Sequence, residues 1–157
     1  MNEKITSSLN IRRHNLPHWQ QGGSVYFVTF RINQGDLTST EREIVKHEVL
    51  YGHTRKYILH IAAILTDHVH MIIQPMERAP GVWYDLAELM KFVKGVSARR
   101  INQLRGSKGK LWQAESYDRI IRNEPEYKEK WLYIQENLVR LSLVSRCEEY
   151  PFLIIPK

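Results

Sequence analysis

Cysteine is nearly absent: Cys147 stands alone in 157 residues, so no disulfide can form within the chain and a reducing compartment is expected. Long apolar runs are missing too. The longest, Ile58 to Leu65, falls far short of the ~20 residues needed to span a bilayer, and Met1 to Leu9 lacks the apolar stretch of a secretory signal. A cytoplasmic protein without a membrane partner is the expectation. No segment repeats, no tract is of low complexity and no linker is long enough to separate domains, which leaves a single domain over 1–157. No long basic block stands out, yet 23 Lys and Arg against 17 Asp and Glu give a net charge of +6. Positive charge spread in this way argues against a polybasic tail and suits a polyanionic partner, nucleic acid first. With 43% hydrophobic and 25% charged residues, the composition is that of a globular domain and not of a disordered chain.

Residues 1–23, with Arg12-Arg13, Pro17 and Gly22-Gly23, read as an extended arm. Val25 to Ile32 alternates, with Val25, Phe27 and Thr29 on one side and Tyr26, Val28, Phe30 and Ile32 on the other, which predicts a strand. Thr38-Ser39-Thr40-Glu41 is a capping box, followed at helical spacing by Ile44, Val45, Val49 and Leu50, with Gly52 as the stop. Tyr57 to Leu65 and His68 to Gln74, split by Thr66-Asp67, predict a β-hairpin, and Pro75 and Pro80 bracket a loop. Leu86, Leu89, Met90, Val93, Val96, Ile101 and Leu104 mark one face of a long helix ending near Gly106. Gly95 inside that helix costs about 1 kcal/mol against Ala, which points to close packing or to close approach of a partner. Leu111 to Ile121 can form a fourth strand. Asn123-Glu124-Pro125-Glu126 then opens a last helix with its buried stripe expected at Tyr127, Trp131, Ile134, Leu138 and Leu141. The order β-α-β-β-α-β and a final α is the split βαβ, ferredoxin-like pattern: an α+β fold with an antiparallel sheet and two helices on one face.

The sharpest local feature is Asp67-His68-Val69-His70. Alternation along a strand points His68 and His70 the same way, with Cα atoms ~7 Å apart, while Val69, Met71 and Ile73 face the helices. Two neutral imidazoles on one face can bind one divalent ion, but a chance His-x-His on a strand is commoner, and two ligands need a third. On the last helix Tyr133 and Asn137 lie ~6 Å and ~40° apart and share a face at the border of the apolar stripe, with Lys130 and Arg140 on the same flank. The Asn137 amide oxygen could complete a metal site beside the Tyr133 phenol; a packing tyrosine and a solvated asparagine are the plainer reading of the same spacing.

Taken together, His-hydrophobic-His on a central strand and Tyr-x-x-x-Asn on a late helix resemble the HUH-type single-tyrosine transposases, and most closely their REP-associated branch. The similarity runs from about Arg12 to Val144. It is carried by Arg12-Arg13, Leu16-Pro17-His18-Trp19, Val25 to Arg31, Asp67 to His70, Met90 to Gly95, Leu111-Trp112-Gln113, Tyr117-Asp118 and the block from Tyr133 to Asn137. Family members often place proline directly after this asparagine; here Leu138 follows and the helix can continue. The resemblance implies cleavage and rejoining of single-stranded or hairpin DNA. Tyr133 would attack a backbone phosphorus to leave a 5′-phosphotyrosine, and His68, His70 and Asn137 would hold Mg²⁺ or Mn²⁺. Relatives act as monomers or as homodimers with exchanged helices.

Arg12, Arg13, Arg31, Lys91, Lys94, Arg99 and Arg100 are the candidate phosphate contacts, and Trp19, Trp83 and Trp112 could stack unpaired bases, with a core or rim position the equal alternative for Trp112. Tyr117 is the rival nucleophile, Glu115 and Asp118 are a candidate supporting carboxylate pair, and His60 and Tyr127 are expected to pack. His14 and His18 flank Pro17, which argues against a helical metal pair. Two other readings stand beside the transposase. A non-catalytic nucleic-acid-binding module would need neither His68 nor Asn137, and a metal-dependent hydrolase would turn over with no covalent intermediate.

Overall fold

The computed structural model describes residues 23–157. The arm read for 1–23 lies outside the described residues except for Gly23, and so do Arg12, Arg13, His14, His18 and Trp19. The chain runs β1 (Val25–Arg31), α1 (Ser39–Gly52), β2 (Tyr57–Ile64), β3 (His68–Pro75), β4 (Glu77–Ala79), β5 (Val82–Trp83), α2 (Leu86–Arg105), β6 (Tyr117–Ile121), α3 (Glu124–Arg140) and β7 (Leu153–Ile154). One five-stranded antiparallel sheet has the order β6-β1-β3-β2-β7, and β4 and β5 form a small separate hairpin where the sequence suggested only a loop. This is the expected ferredoxin-like α+β fold, with β7 added at one edge. No helix among the described residues is long and apolar enough to cross a membrane.

Alternation divides the sheet into two unlike faces. Val28 and Phe30 of β1 and Val69, Met71 and Ile73 of β3 are fully buried on the face that carries α1 and α2. There Phe30 packs edge-on against Trp112, whose indole donates to Ser97 of α2, and the Tyr57 hydroxyl donates to the Val49 carbonyl of α1. Arg100 bridges α2 to Glu48, and Arg105 bridges it to Glu41. The opposite face is crossed by α3, which buries Tyr127, Trp131, Ile134 and Leu138. In β2 the register slips between Leu59 and Ile61, a bulge that turns His60 towards α3, where it meets the Tyr127 hydroxyl at 2.8 Å.

The capping box of Thr38 and Glu41 and the Asn123 cap form as their sequences direct. Several expectations need correction. Leu141 is exposed because it caps α3 outside helical geometry, so the stripe does not extend to it. Leu104 and Leu50 are exposed at helix ends, while Ser97, a polar residue, takes the buried position on α2. The fourth strand is shorter than Leu111 to Ile121. Trp112 makes an isolated bridge to Ile32, and the carbonyls of Gln113 and Ala114 then turn to the Lys94 ammonium and so leave the ladder.

Gly52 ends α1 as expected, though not through a left-handed conformation. It is helical, and a Cβ there would sit 2.5 Å from Cζ and 2.6 Å from Oη of the buried Tyr57 ring. Gly52→Ala should therefore lower stability by about 1–3 kcal/mol in urea denaturation, the usual cost of overpacking; wild-type stability would mean the ring does not close on this glycine.

Candidate active site

The register between β1 and β3 sets Thr29 opposite His70 and Arg31 opposite His68. All four side chains stand on the face covered by α3, and both imidazoles are buried. His68 Nδ1 lies 2.6 Å from the Asp67 carboxylate and His70 Nδ1 lies 2.7 Å from Thr29 Oγ1. The two remaining ring nitrogens, His68 Nε2 and His70 Nε2, face each other at 3.1 Å.

Protons can be placed from this pattern. An ionised carboxylate only accepts, so His68 donates through Nδ1, and in the neutral ring Nε2 carries the lone pair. The His68 hydrogen bond holds the Asp67 carboxyl below the usual carboxylate range. Burial first, then the neighbouring His68 and Arg31, push the His70 imidazole down to about 3. The neutral His70 therefore has two arrangements. Either its Nε2–H donates to His68 while the Thr29 hydroxyl donates to Nδ1, or Thr29 accepts from Nδ1–H and two lone pairs meet. The second arrangement requires a cation between the rings. A threonine hydroxyl serves both.

A divalent ion fits these atoms. Metal–nitrogen bonds of about 2.1 Å at a right angle place the two nitrogens about 3 Å apart, the spacing seen here. Among the described residues no group of three His, Cys, Asp or Glu is arranged to hold a metal, so further donors must be of another kind. Asn137 supplies one candidate. It is buried, and its Oδ1 accepts from Arg140 Nη2 at 2.7 Å, which leaves the oxygen a second lone pair.

Tyr133 lies one turn back on α3. Its ring meets His70 edge-on with centroids 5.4 Å apart, and it meets Phe27 at 5.9 Å. Phe27 also stacks on His70 at 5.6 Å, so one β1 phenylalanine props both rings. Arg140 Cζ sits 5.5 Å from the Tyr133 ring centroid, and Lys130 Nζ sits 5.2 Å from that of Phe27. Tyr133 itself is 41% exposed, so its phenol is open to a ligand although the imidazoles beneath are not. Leu138 continues α3 and is buried in the core.

The other candidates separate by face. Tyr117 pairs with Thr29 and sits on the same face, exposed, against the far side of Phe27 at 6.4 Å. Arg31 is exposed beside His68. Lys91, Lys94, Arg99 and Arg100 belong to α2, across the sheet. Two of these are already engaged: Lys94 donates to Gln113 O, Ala114 O and Ser116 Oγ, and Arg100 pairs with Glu48 at 2.5 Å. Trp112 is buried and unable to stack a base; Trp83 is partly exposed. Asp118 pairs with Val28 and so points away from the imidazoles, which removes Glu115 and Asp118 as a supporting pair. Sequence reading gave no role to Thr29, Phe27 or Asp67. Asp67 adjoins His68 and could have been seen as its partner, whereas Thr29 and Phe27 are 41 and 43 positions from His70 and meet it only through strand register.

The fold, a ferredoxin-like sheet with a further helix across its second face, is shared with one solved transposase structure. The chain superposes on a REP-associated tyrosine transposase bound to a REP hairpin with a TM-score of 0.68, over 88% of this chain and 82% of that one, at 19% identity. A candidate transposase from Deinococcus radiodurans R1 gives a TM-score of 0.46 over 78% of this chain and 95% of the other, at 16% identity, too low a score to argue from. No family model matches the sequence, and no curated protein does.

Two outcomes test the site. Above pH 6.5 His70 is neutral in both folded and unfolded chains. As the pH falls from about 6.5 towards 3, only the unfolded chain takes the proton, so stability should drop by up to about 1.4 kcal/mol per pH unit. His70→Gln should flatten that stretch in denaturation curves; equal slopes would remove His70 as the source. Asp67→Ala, which frees the His68 ring, should weaken Mn²⁺ binding about 10- to 100-fold by calorimetry, and unchanged affinity would deny the carboxylate an orienting role.

Proposed function

We propose that this chain is an HUH-type single-tyrosine transposase of the REP-associated kind, a metal-dependent endonuclease and strand transferase for single-stranded or hairpin DNA. One observation carries the reading: the Tyr133 ring rests on His70, whose Nε2 faces that of His68, within a single chain. The fold shared with a REP-associated transposase, and the hairpin bound in that neighbour's structure, support the choice of substrate.

In this reading His68, His70 and Asn137 would hold Mg²⁺ or Mn²⁺, which when bound offsets the charge repulsion between a phosphodiester and an incoming oxygen. Tyr133 Oη forms a bond to phosphorus as the bond from phosphorus to the 3′-oxygen breaks. The phenol gives up its proton and the departing oxygen takes one, so a 3′-hydroxyl and a 5′-phosphotyrosine result with no net proton change. Arg140 and Lys130 bring positive charge to the phenol and the phosphate. The phosphotyrosine keeps the ester, so a 3′-hydroxyl can rejoin without ATP. Arg31 beside His68 is the phosphate contact nearest the chemistry, and all these residues come from one chain, so a monomer suffices.

A passive RNA platform would need an open sheet face, and α3 covers it. Tyr133→Phe should abolish covalent protein–DNA adducts on denaturing gels with labelled hairpin DNA and Mn²⁺, while DNA binding persists. An adduct of undiminished yield would move the nucleophile to Tyr117, and turnover without any adduct would favour a hydrolase.

A further inference from the structure

A second feature lies across the sheet from the imidazoles. A cleft of about 510 Å³ opens between α2 and residues 109–118, within the size range of small-molecule sites. Its apolar lining includes Met90, Ala98, Leu111 and Trp112, and it is also lined by Lys91 of α2 and by Lys110 of the facing segment. Lys94 ties the walls together. Its ammonium donates to Gln113 O, Ala114 O and Ser116 Oγ, and burial lowers its pKa. With three bonds made inside the protein, it fixes the width of the cleft.

Gly95 lines this cleft in the middle of a twenty-residue helix. Its backbone is helical, and a Cβ built there would meet nothing within 4 Å. Neither packing nor backbone strain demands glycine, and glycine is among the poorest helix formers. What the missing side chain preserves is room in the cleft. The adjacent edge strand carries Tyr117 on the active-site face and Asp118 on the cleft side, so a bound strand of DNA can pass round β6 from one to the other.

We infer that the cleft receives one unpaired nucleotide of the DNA substrate, its base on the apolar lining against the Gly95 backbone and its phosphates on Lys91 and Lys110. The inference rests on the DNA reading above and adds a subsite remote from the scissile phosphate. The lysine pair selects an anion, and the apolar lining selects one with a planar, poorly hydrated face. A nucleotide has both.

Gly95→Leu tests it by filling the cleft. The variant should melt at or above the wild-type temperature, since leucine favours the helix, yet bind single-stranded-tailed hairpin DNA about 10- to 100-fold more weakly in fluorescence anisotropy. Gly95→Ala should fall between the two. A series of oligonucleotides with one abasic position each should contain a position that costs the wild type a similar factor and costs Gly95→Leu nothing further. Wild-type affinity in a folded Gly95→Leu would overturn the proposal, and so would an abasic series with no such position. Saturation of the cleft by a mononucleotide that leaves DNA binding unchanged would assign it to a free nucleotide and overturn the DNA source. Adduct formation reads out separately: loss of DNA affinity in Gly95→Leu stands even if Tyr133 proves not to be the nucleophile.

Discussion

Two buried imidazole nitrogens facing each other at 3.1 Å are the constraint on which the site depends. Two lone pairs cannot share that gap without a proton or a cation between them, and burial keeps His70 from supplying a second charge of its own. Asp67 holds one ring and Thr29 the other, so neither can swing aside to relieve the conflict. The β1–β3 register makes this possible. A slip of β3 by one residue would put Val69 and Met71 on this face and send both imidazoles into the apolar core.

The rest of the fold keeps that arrangement dry and gives it a neighbour. The α1 and α2 face carries the ordinary work of stability through Val28, Phe30, Met71 and Ile73, which frees the other face to hold polar groups. On that second face α3 serves twice. Tyr127, Trp131, Ile134 and Leu138 bury into the core, and the next strip round the helix brings Tyr133 to His70, with Arg140 against the Tyr133 ring and hydrogen-bonded to Asn137. An exposed phenol over buried imidazoles is the result. A phosphate could reach the first and lie close to the second.

Local chemistry made much of this legible in the sequence itself. Alternation in β1 and β3, the Thr38 and Asn123 caps and the i, i+4 relation of Tyr133 to Asn137 all depend on near neighbours, and all hold. Where a feature depends on residues far along the chain, the sequence was silent or misleading. Nothing near Thr29 or Phe27 announces His70. That Gly52 ends α1 is readable, but not that it makes room for Tyr57, and Lys94 reads as a free phosphate contact although its ammonium meets the carbonyls of 113 and 114. Trp112, readable either as a stacking surface or as a core residue, proves to be core. Asn137 falls between these cases: its face was readable, but its hydrogen bond to Arg140 was not.

The central claim is that both Nε2 atoms ligate one divalent cation next to Tyr133. Pulsed electron paramagnetic resonance on Mn²⁺ bound to protein carrying ¹⁵N-labelled histidine addresses it directly. The account predicts hyperfine coupling to two histidine nitrogens at one manganese ion. A bound ion coupled only to water protons, or to a single nitrogen, would contradict it.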